Sequence, residues 1–348
     1  QEITTWTSPT GIESEGLLEV SYQVITNREF DSQHRVENQK VLNYLSEGTM
    51  LLLDTQEIRS LNFDSRGNAR LQYIATYVDG SLIDAKKIVS SNPDEYGYLR
   101  DVDIYVYDQA ALSQDQDFSQ IIPVEATLRE VQVIRTTDFD YRGNVVTQTV
   151  ERFESDGLTR IDLQSITNLA YDFHDRTTQS TIITYEADGV TFASKQIIHY
   201  DSYDQWGNVL VQRVDLFDIA DNLLERKLIT NVYSGDVIMV QQSGAESTVD
   251  GAIAARRGNA ITTTVKRYLD AGMALLVERQ EMVTDRIDWR GNIVDQTIRT
   301  YVTIGGVESL ATKTEINNVL STIDNRGDAE TQEITTWTSP TGIESEGL

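Results

Sequence analysis

The sequence predicts an all-β fold: tandem antiparallel β-hairpin repeats forming a long curled or spiralling sheet, tube-like or solenoid-like. Three observations lead there. A turn motif returns every 30 to 51 residues, Val/Ile and aromatic residues stand at fixed distances after it, and no stretch sustains a 3.6-residue apolar period.

The turn is Asp-x-x-Gly-Asn. It stands at Asp64 to Asn68, Asp140 to Asn144, Asp204 to Asn208 and Asp288 to Asn292. Variants are Asp94-Glu-Tyr-Gly-Tyr98, Ala255-Arg-Arg-Gly-Asn259 and Asp324-Asn-Arg-Gly-Asp328. Two further units lose the glycine and pair Asp31 with His34 and Asp172 with Asp175. The pattern fits a type I turn in which Asp accepts backbone N–H bonds and the fourth residue is left-handed, closing a hairpin through a bulge. The expected structural turn residues are Asp64, Gly67, Asp140, Gly143, Asp204, Gly207, Gly258, Asp288, Gly291, Asp324 and Gly327.

Counted from the glycine position, nine units are centred on 34, 67, 97, 143, 175, 207, 258, 291 and 327. Seven residues later each has Val or Ile: Val41, Ile74, Ile104, Val150, Ile182, Val214, Val265, Ile298 and Ile334. Ten residues later each has an aromatic: Tyr44, Tyr77, Tyr107, Phe153, Tyr185, Phe217, Tyr268, Tyr301 and Trp337. Aromatics are 8% of the chain, so nine hits at one offset are on the order of one in ten billion by chance, and a repeat is the explanation. The composition after each turn is that of a strand. A second turn, as in Asp79-Gly80, Asp156-Gly157 and Asp188-Gly189, sends the chain back, one hairpin per unit and about 18 strands in all. Offsets five (usually Gln) and seven share a strand face, and the aromatic at ten lies on the other unless a bulge intervenes.

The spacing stretches to 46 and 51 at two places. Residues 108–130 and 234–255 are expected there as insertions, loops leaving the array, the second (rich in Gly, Ser and Ala) the more mobile. A larger repeat encloses all of this. Residues 1–17 recur unchanged at 332–348, a period of 331. The chain, 1–348, is expected to be one repeat array and the start of the next block, taken from something longer.

Composition bounds the function. Lys+Arg number 29 against Asp+Glu 55, a net charge of -26, which argues against a nucleic-acid partner because phosphates need a basic face. Cys is absent, which removes disulfides, thiolate metal sites and a Cys nucleophile. No apolar run reaches membrane-spanning length.

The segments Phe63-Asp64 to Asn68, Phe139-Asp140 to Asn144 and Tyr203-Asp204 to Asn208, with the Asp-Gly turn and later Tyr, resemble the YD-repeat signature of rearrangement-hotspot (RHS) and teneurin-type proteins. The resemblance covers nearly the whole chain. It implies a long spiralling sheet of hairpins on a large extracellular or secreted protein. The units here are longer than the family's shorter repeat, and its shell-closing and self-cleaving segments are not visible.

Several residue groups invite other readings. Arg326-Gly327-Asp328 spells an integrin-binding tripeptide but occupies the same turn as the Arg-Gly-Asn units. His199, Asp201 and Ser202 lie together, yet neighbouring strand positions alternate faces and cannot converge as a triad. The pairs Asp101/Asp103, Asp115/Asp117 and Asp138/Asp140 offer carboxylates for Ca²⁺, but none continues into a calcium loop. Lys40, Lys195, Lys227 and Lys313 are candidates for internal isopeptide bonds. No cofactor and no catalytic residue is expected. The leading expectation is a structural block of a giant bacterial extracellular or cell-surface stalk or filament, its partner being itself, head-to-tail along a fibre or covalently through tandem blocks. Alternatives are a carbohydrate- or protein-binding adhesin, an RHS-like shell segment, or a β-solenoid enzyme such as a polysaccharide lyase.

Overall fold

The computed structural model describes residues 1–7, 17–48, 50–115, 118–256, 258–323, 327–339, 342 and 344. Asp324, Arg326, Arg257 and Asp117 lie outside these. The strands up to residue 107 are β1 (Glu2–Thr7), β2 (Leu18–Phe30), β3 (Val36–Tyr44), β4 (Leu52–Phe63), β5 (Ala69–Val78), β6 (Ser81–Pro93) and β7 (Leu99–Tyr107). Next come β8 (Ala110–Asp115), β9 (Phe118–Pro123), β10 (Leu128–Phe139), β11 (Val145–Phe153), β12 (Arg160–Tyr171), β13 (Thr177–Tyr185), β14 (Phe192–Tyr203), β15 (Val209–Phe217) and β16 (Leu223–Val232). The rest are β17 (Asp236–Val240), β18 (Glu246–Asp250), β19 (Thr262–Tyr268), β20 (Leu276–Asp288), β21 (Ile293–Ile304), β22 (Val307–Asn318) and β23 (Gln332–Thr338), with a short α-helix, α1 (Ala252–Arg256), before β19.

The fold is all-β, made of antiparallel hairpins, and among the described residues β8 and β9 pair apart from the other strands. The residues explain it. β13, Thr-Thr-Gln-Ser-Thr-Ile-Ile-Thr-Tyr, is almost wholly β-branched or aromatic and carries no helix-favouring run. In six pairings the register shifts just before the offset-ten aromatic, at Tyr44, Tyr77, Phe153, Phe217, Tyr268 and Tyr301. The expected simple alternation of faces is therefore interrupted at this row by a bulge, which adds local twist.

The chain divides into two compact units, Gln1–Ser194 and Lys195–Leu348. In the first, β1 to β7 pair in chain order, β7 pairs β10, and β10 to β13 continue the ladder. The 108–130 insertion is a hairpin, β8 and β9, rather than a loop, and β9 packs against β4, β5 and β6. In those strands the paired alanines Ala75 and Ala85 have no exposed surface, and Ile121 of β9 is buried.

In the second unit β14, β15, β16, β19, β20, β21, β22 and β23 pair in succession. The 234–255 insertion also differs from the expected mobile loop. β17 and β18 form a hairpin, and β17 adds in parallel to β20 along Arg286–Asp288. Val237, Ala254, Ile261 and Ile287 close into a small apolar core with Met239 and Val249 against it, and that burial is what orders the segment. Gly258 is accordingly not in a hairpin turn. It follows α1 at φ +77°, and the Asn259 N–H reaches back to the Ala254 carbonyl at 2.9 Å, a left-handed helix cap.

Candidate functional site: a ladder of turns and a strand used twice

Each Asp-x-x-Gly-Asn turn is built the same way. The Asp64 N–H donates to the Asn68 carbonyl at 2.9 Å and the Gly67 N–H donates to the Asp64 carbonyl at 3.1 Å. The Asp64 carboxylate accepts the Arg66 and Asn68 N–H groups, each at 2.9 Å, and the Asn68 side-chain amide at 3.1 Å. The turns at Asp140, Asp204 and Asp288 repeat this set. The Asn68 N–H, with the neighbouring donors, holds the Asp64 carboxyl below the usual carboxylate range. At the second turns the Thr159 and Thr191 hydroxyls do the same for Asp156 and Asp188.

Gly67, Gly143, Gly207, Gly291 and Gly327 all have φ between +88° and +95°. His34 and Asp175 take the same left-handed position at +64° and +62° in the units without glycine. At Gly143 there is a second demand: a Cβ would stand 2.6 Å from the Tyr98 ring of the preceding turn.

The turns are also bonded to one another. Arg66 donates to the Asp94 carbonyl at 3.2 Å and the Glu95 carbonyl at 2.6 Å, while the Asn68 amide reaches the Gly97 carbonyl at 3.2 Å. Arg35 reaches the Asp64 carbonyl, and Arg142 and Asn144 reach Asp172 and Asp175. In the second unit Asn208 reaches the Ala255 carbonyl, Asn259 the Gly291 carbonyl and Arg290 the Ile323 carbonyl. Every rung points from one repeat to the next. The Arg and Asn of the motif are thus clamps between neighbours, while its Asp holds its own turn. Such nearest-neighbour terms are what stabilise a repeat array. Asp218, whose N–H donates to the Asn222 carbonyl, forms with Asp221 at φ +62° a further turn of this kind that the spacing rule passed over.

The rung at Asp288 is the most enclosed. Asp288 is 0% exposed, Arg290 5% and Asn292 8%. Arg290 Nε donates to Asp288 Oδ2 at 2.8 Å and its Nη2 lies 2.7 Å from the same oxygen.

The repeated segment is a strand in both of its copies, Glu2–Thr7 and Gln332–Thr338. β1 pairs with the strand that follows it, Ile3 opposite Gln23. β23 pairs with the strand that precedes it, Ile334 opposite Ile316.

The other candidates fall apart or serve the sheet. Asp201 is tied to Arg213 by two bonds of 2.9 Å, which hold its carboxyl low, and His199 stands opposite Arg213 in the ladder rather than over a serine. Asp103 accepts a bond from Arg135 at 2.6 Å, with Asp101 3.9 Å from the same guanidinium. Lys195, Lys227 and Lys313 pair with Asp221, Glu225 and Glu315. Among the described residues no group of three His, Asp or Glu is placed to hold a metal ion. A cleft of about 660 Å³ lies between the turns at Asp94 and Asp140, lined by Tyr96, Tyr98, Phe139 and Tyr141. Its carboxylates Asp94 and Asp140 are spent on turn N–H groups, while Glu95, Asp138 and Arg100 also line it beside the aromatic rings.

Compared with sequence profiles of known families and with curated proteins, the chain matches none. Among solved structures it is similar to one described as "Crystal Structure of TcdB2-TccC3-TEV", at 12% identity and a TM-score of 0.16. That alignment covers 98% of this chain and 19% of the other, so the chain spans about a fifth of that protein's length.

Proposed function

We propose that this chain is a structural repeat block of a giant bacterial extracellular stalk or filament protein. The observation that carries the reading is the recurrence of residues 1–17 at 332–348, as the same strand, on an array whose rungs run in one direction. A polar ladder of that kind can be lengthened by whole blocks without a new type of contact. The aromatic-Asp-x-x-Gly-Asn turns resemble those of RHS and teneurin-type hairpin repeats, which supports the reading. Many of its carboxylates, such as Asp64, Asp140, Asp215 and Asp288, are engaged in turns and ion pairs, and the reading assigns it no catalysis and no cofactor. The large negative charge suits a soluble, self-repelling surface. Among the described residues no helix is long and apolar enough to cross a membrane.

Electron microscopy of chains carrying one, two and four consecutive 331-residue blocks tests this reading. Particle length is expected to rise by a constant increment per block. Compact particles whose longest dimension stays constant from one block to four contradict it.

A further inference from the structure

One turn of the ladder departs from the motif at both of its clamp positions. Counted from its aspartate, the third and fifth residues of the turn at Asp94 are Tyr96 and Tyr98, where the turn at Asp64 has Arg66 and Asn68. The turn at Asp204 also has an aromatic third residue, Trp206, but it keeps Asn208, which closes its rung on the Ala255 carbonyl at 2.8 Å. At Asp94 both clamps are replaced. The Tyr98 ring lies against Gly143 and packs on Phe139, centroids 5.3 Å apart, and Tyr96 stands 6.4 Å from Tyr98. The cleft of about 660 Å³ opens at this rung.

Its walls are aromatic and its charge is negative. Tyr98 and Phe139 are half-buried, while Tyr96 and Tyr141 stand out beside them, 75% and 93% exposed. Exposed apolar surface gathered at one cleft, rather than scattered, is what marks a ligand groove. Four carboxylates line the cleft, Asp94, Glu95, Asp138 and Asp140, against one guanidinium, Arg100. Asp94 and Asp140 hold their own turns, whereas Glu95 and Asp138 are exposed, and among the described residues their carboxylates are held in no bond or ion pair. Arg100 is spent on the Thr137 carbonyl and lies 3.9 Å from Asp94. Arg142, 6.0 Å from the Tyr141 ring, is held by the Asp172 carbonyl and by Asp175. An anion would meet four carboxylates here. A cation meets both the negative faces of the rings and the two free carboxylates.

We propose that this cleft binds a small organic cation of the quaternary ammonium class, its methyl groups against the rings of Tyr96, Tyr98, Phe139 and Tyr141 and its charge facing Glu95 and Asp138. A fully methylated ammonium suits the site better than a primary one. It has no N–H that an aromatic wall would leave unsatisfied. The site goes beyond the structural-block reading and does not depend on it.

Isothermal titration calorimetry of the whole chain with choline chloride at constant ionic strength tests the proposal. The comparison ligand is dimethylbutanol, the uncharged isostere with carbon in place of the ammonium nitrogen. Choline is expected to bind in the millimolar range and the isostere about tenfold more weakly, because it fills the same space without the charge. Phosphocholine carries the same ammonium beside a phosphate and is expected to bind more weakly than choline, since the phosphate meets the free carboxylates. Tyr96→Ala and Tyr141→Ala alter exposed side chains, so each is expected to weaken choline binding while leaving the circular dichroism unchanged. Tyr141→Phe is expected to retain binding, because the ring and not the hydroxyl is used. Tyr96→Arg restores the residue that the turns at Asp64, Asp140 and Asp288 carry and is expected to abolish binding. Glu95→Gln combined with Asp138→Asn is expected to weaken choline and leave the isostere unchanged. No choline binding, equal binding of choline and its isostere, tighter binding of phosphocholine, or choline binding that survives both alanine variants overturns the proposal. Binding of glucose in place of choline, lost in Tyr141→Phe, would assign the cleft to a sugar and overturns it equally.

Discussion

Arg290→Ala is expected to lower stability by about 3–5 kcal/mol, the cost of leaving a buried charge without its partner. Asp288 has no exposed surface, and the guanidinium that faces it is itself 5% exposed. The same substitution breaks the rung to the Ile323 carbonyl and removes the cation over the Trp289 ring, 4.7 Å from its centroid. Arg66→Ala is the control. Arg66 makes the equivalent bonds to the next turn from an exposed position, where water replaces them, and about 1 kcal/mol is expected. Urea denaturation midpoints of the two variants check this. Equal, small shifts would show that the Asp288 rung is no more important than the exposed ones.

Tyr107→Ala is expected to cost about 3–5 kcal/mol, as for other fully buried aromatic side chains cut to Ala. Tyr107 ends β7, stands opposite Ala85 on one side and Leu128 on the other, and has no exposed surface. Burial pushes its phenol pKa up, and the bond its hydroxyl donates to Glu125 at 3.0 Å adds to that. Tyr107→Phe keeps the ring and loses the bond to Glu125, whose carboxylate can turn to water, so about 1 kcal/mol is expected. Thermal melts of the two variants should therefore separate clearly. A Phe variant as weak as the Ala variant would mean that the hydroxyl, not the packing, carries the residue.

The fold class was legible because the turn chemistry is local. Asp accepting its own turn's N–H groups and a left-handed fourth residue need nothing from the rest of the chain, so the spacing of Asp64, Asp140, Asp204 and Asp288 displayed the hairpins directly. The insertions were not legible for the converse reason. Val237 sits in a short strand between Gly- and Ser-containing stretches, and the residues it packs with, Ile261 and Ile287, lie far along the chain. Gly258 misled because its unit has Ala255 where the others have Asp. Without the carboxylate there is no side-chain-closed turn, and α1 fills the position. The Arg of Asp-x-Arg-Gly-Asn was visible at 66, 142 and 290, but its role was not, since the carbonyl it reaches belongs to another turn about 30 residues away. Identity showed that the strand is used twice, but which amides turn to which neighbour depends on register.

Hydrogen exchange on a chain of two consecutive blocks tests most directly whether the sheet runs through that strand. In the two terminal copies protection is expected to alternate: Ile3 and Thr5 slow in the first, and the positions equivalent to Glu333, Thr335 and Trp337 slow in the last. In the copy between the blocks, successive amides from Glu to Trp are all expected to be slow. A middle copy that keeps the alternation of either end, or exchanges as freely as an unpaired loop, would contradict the account.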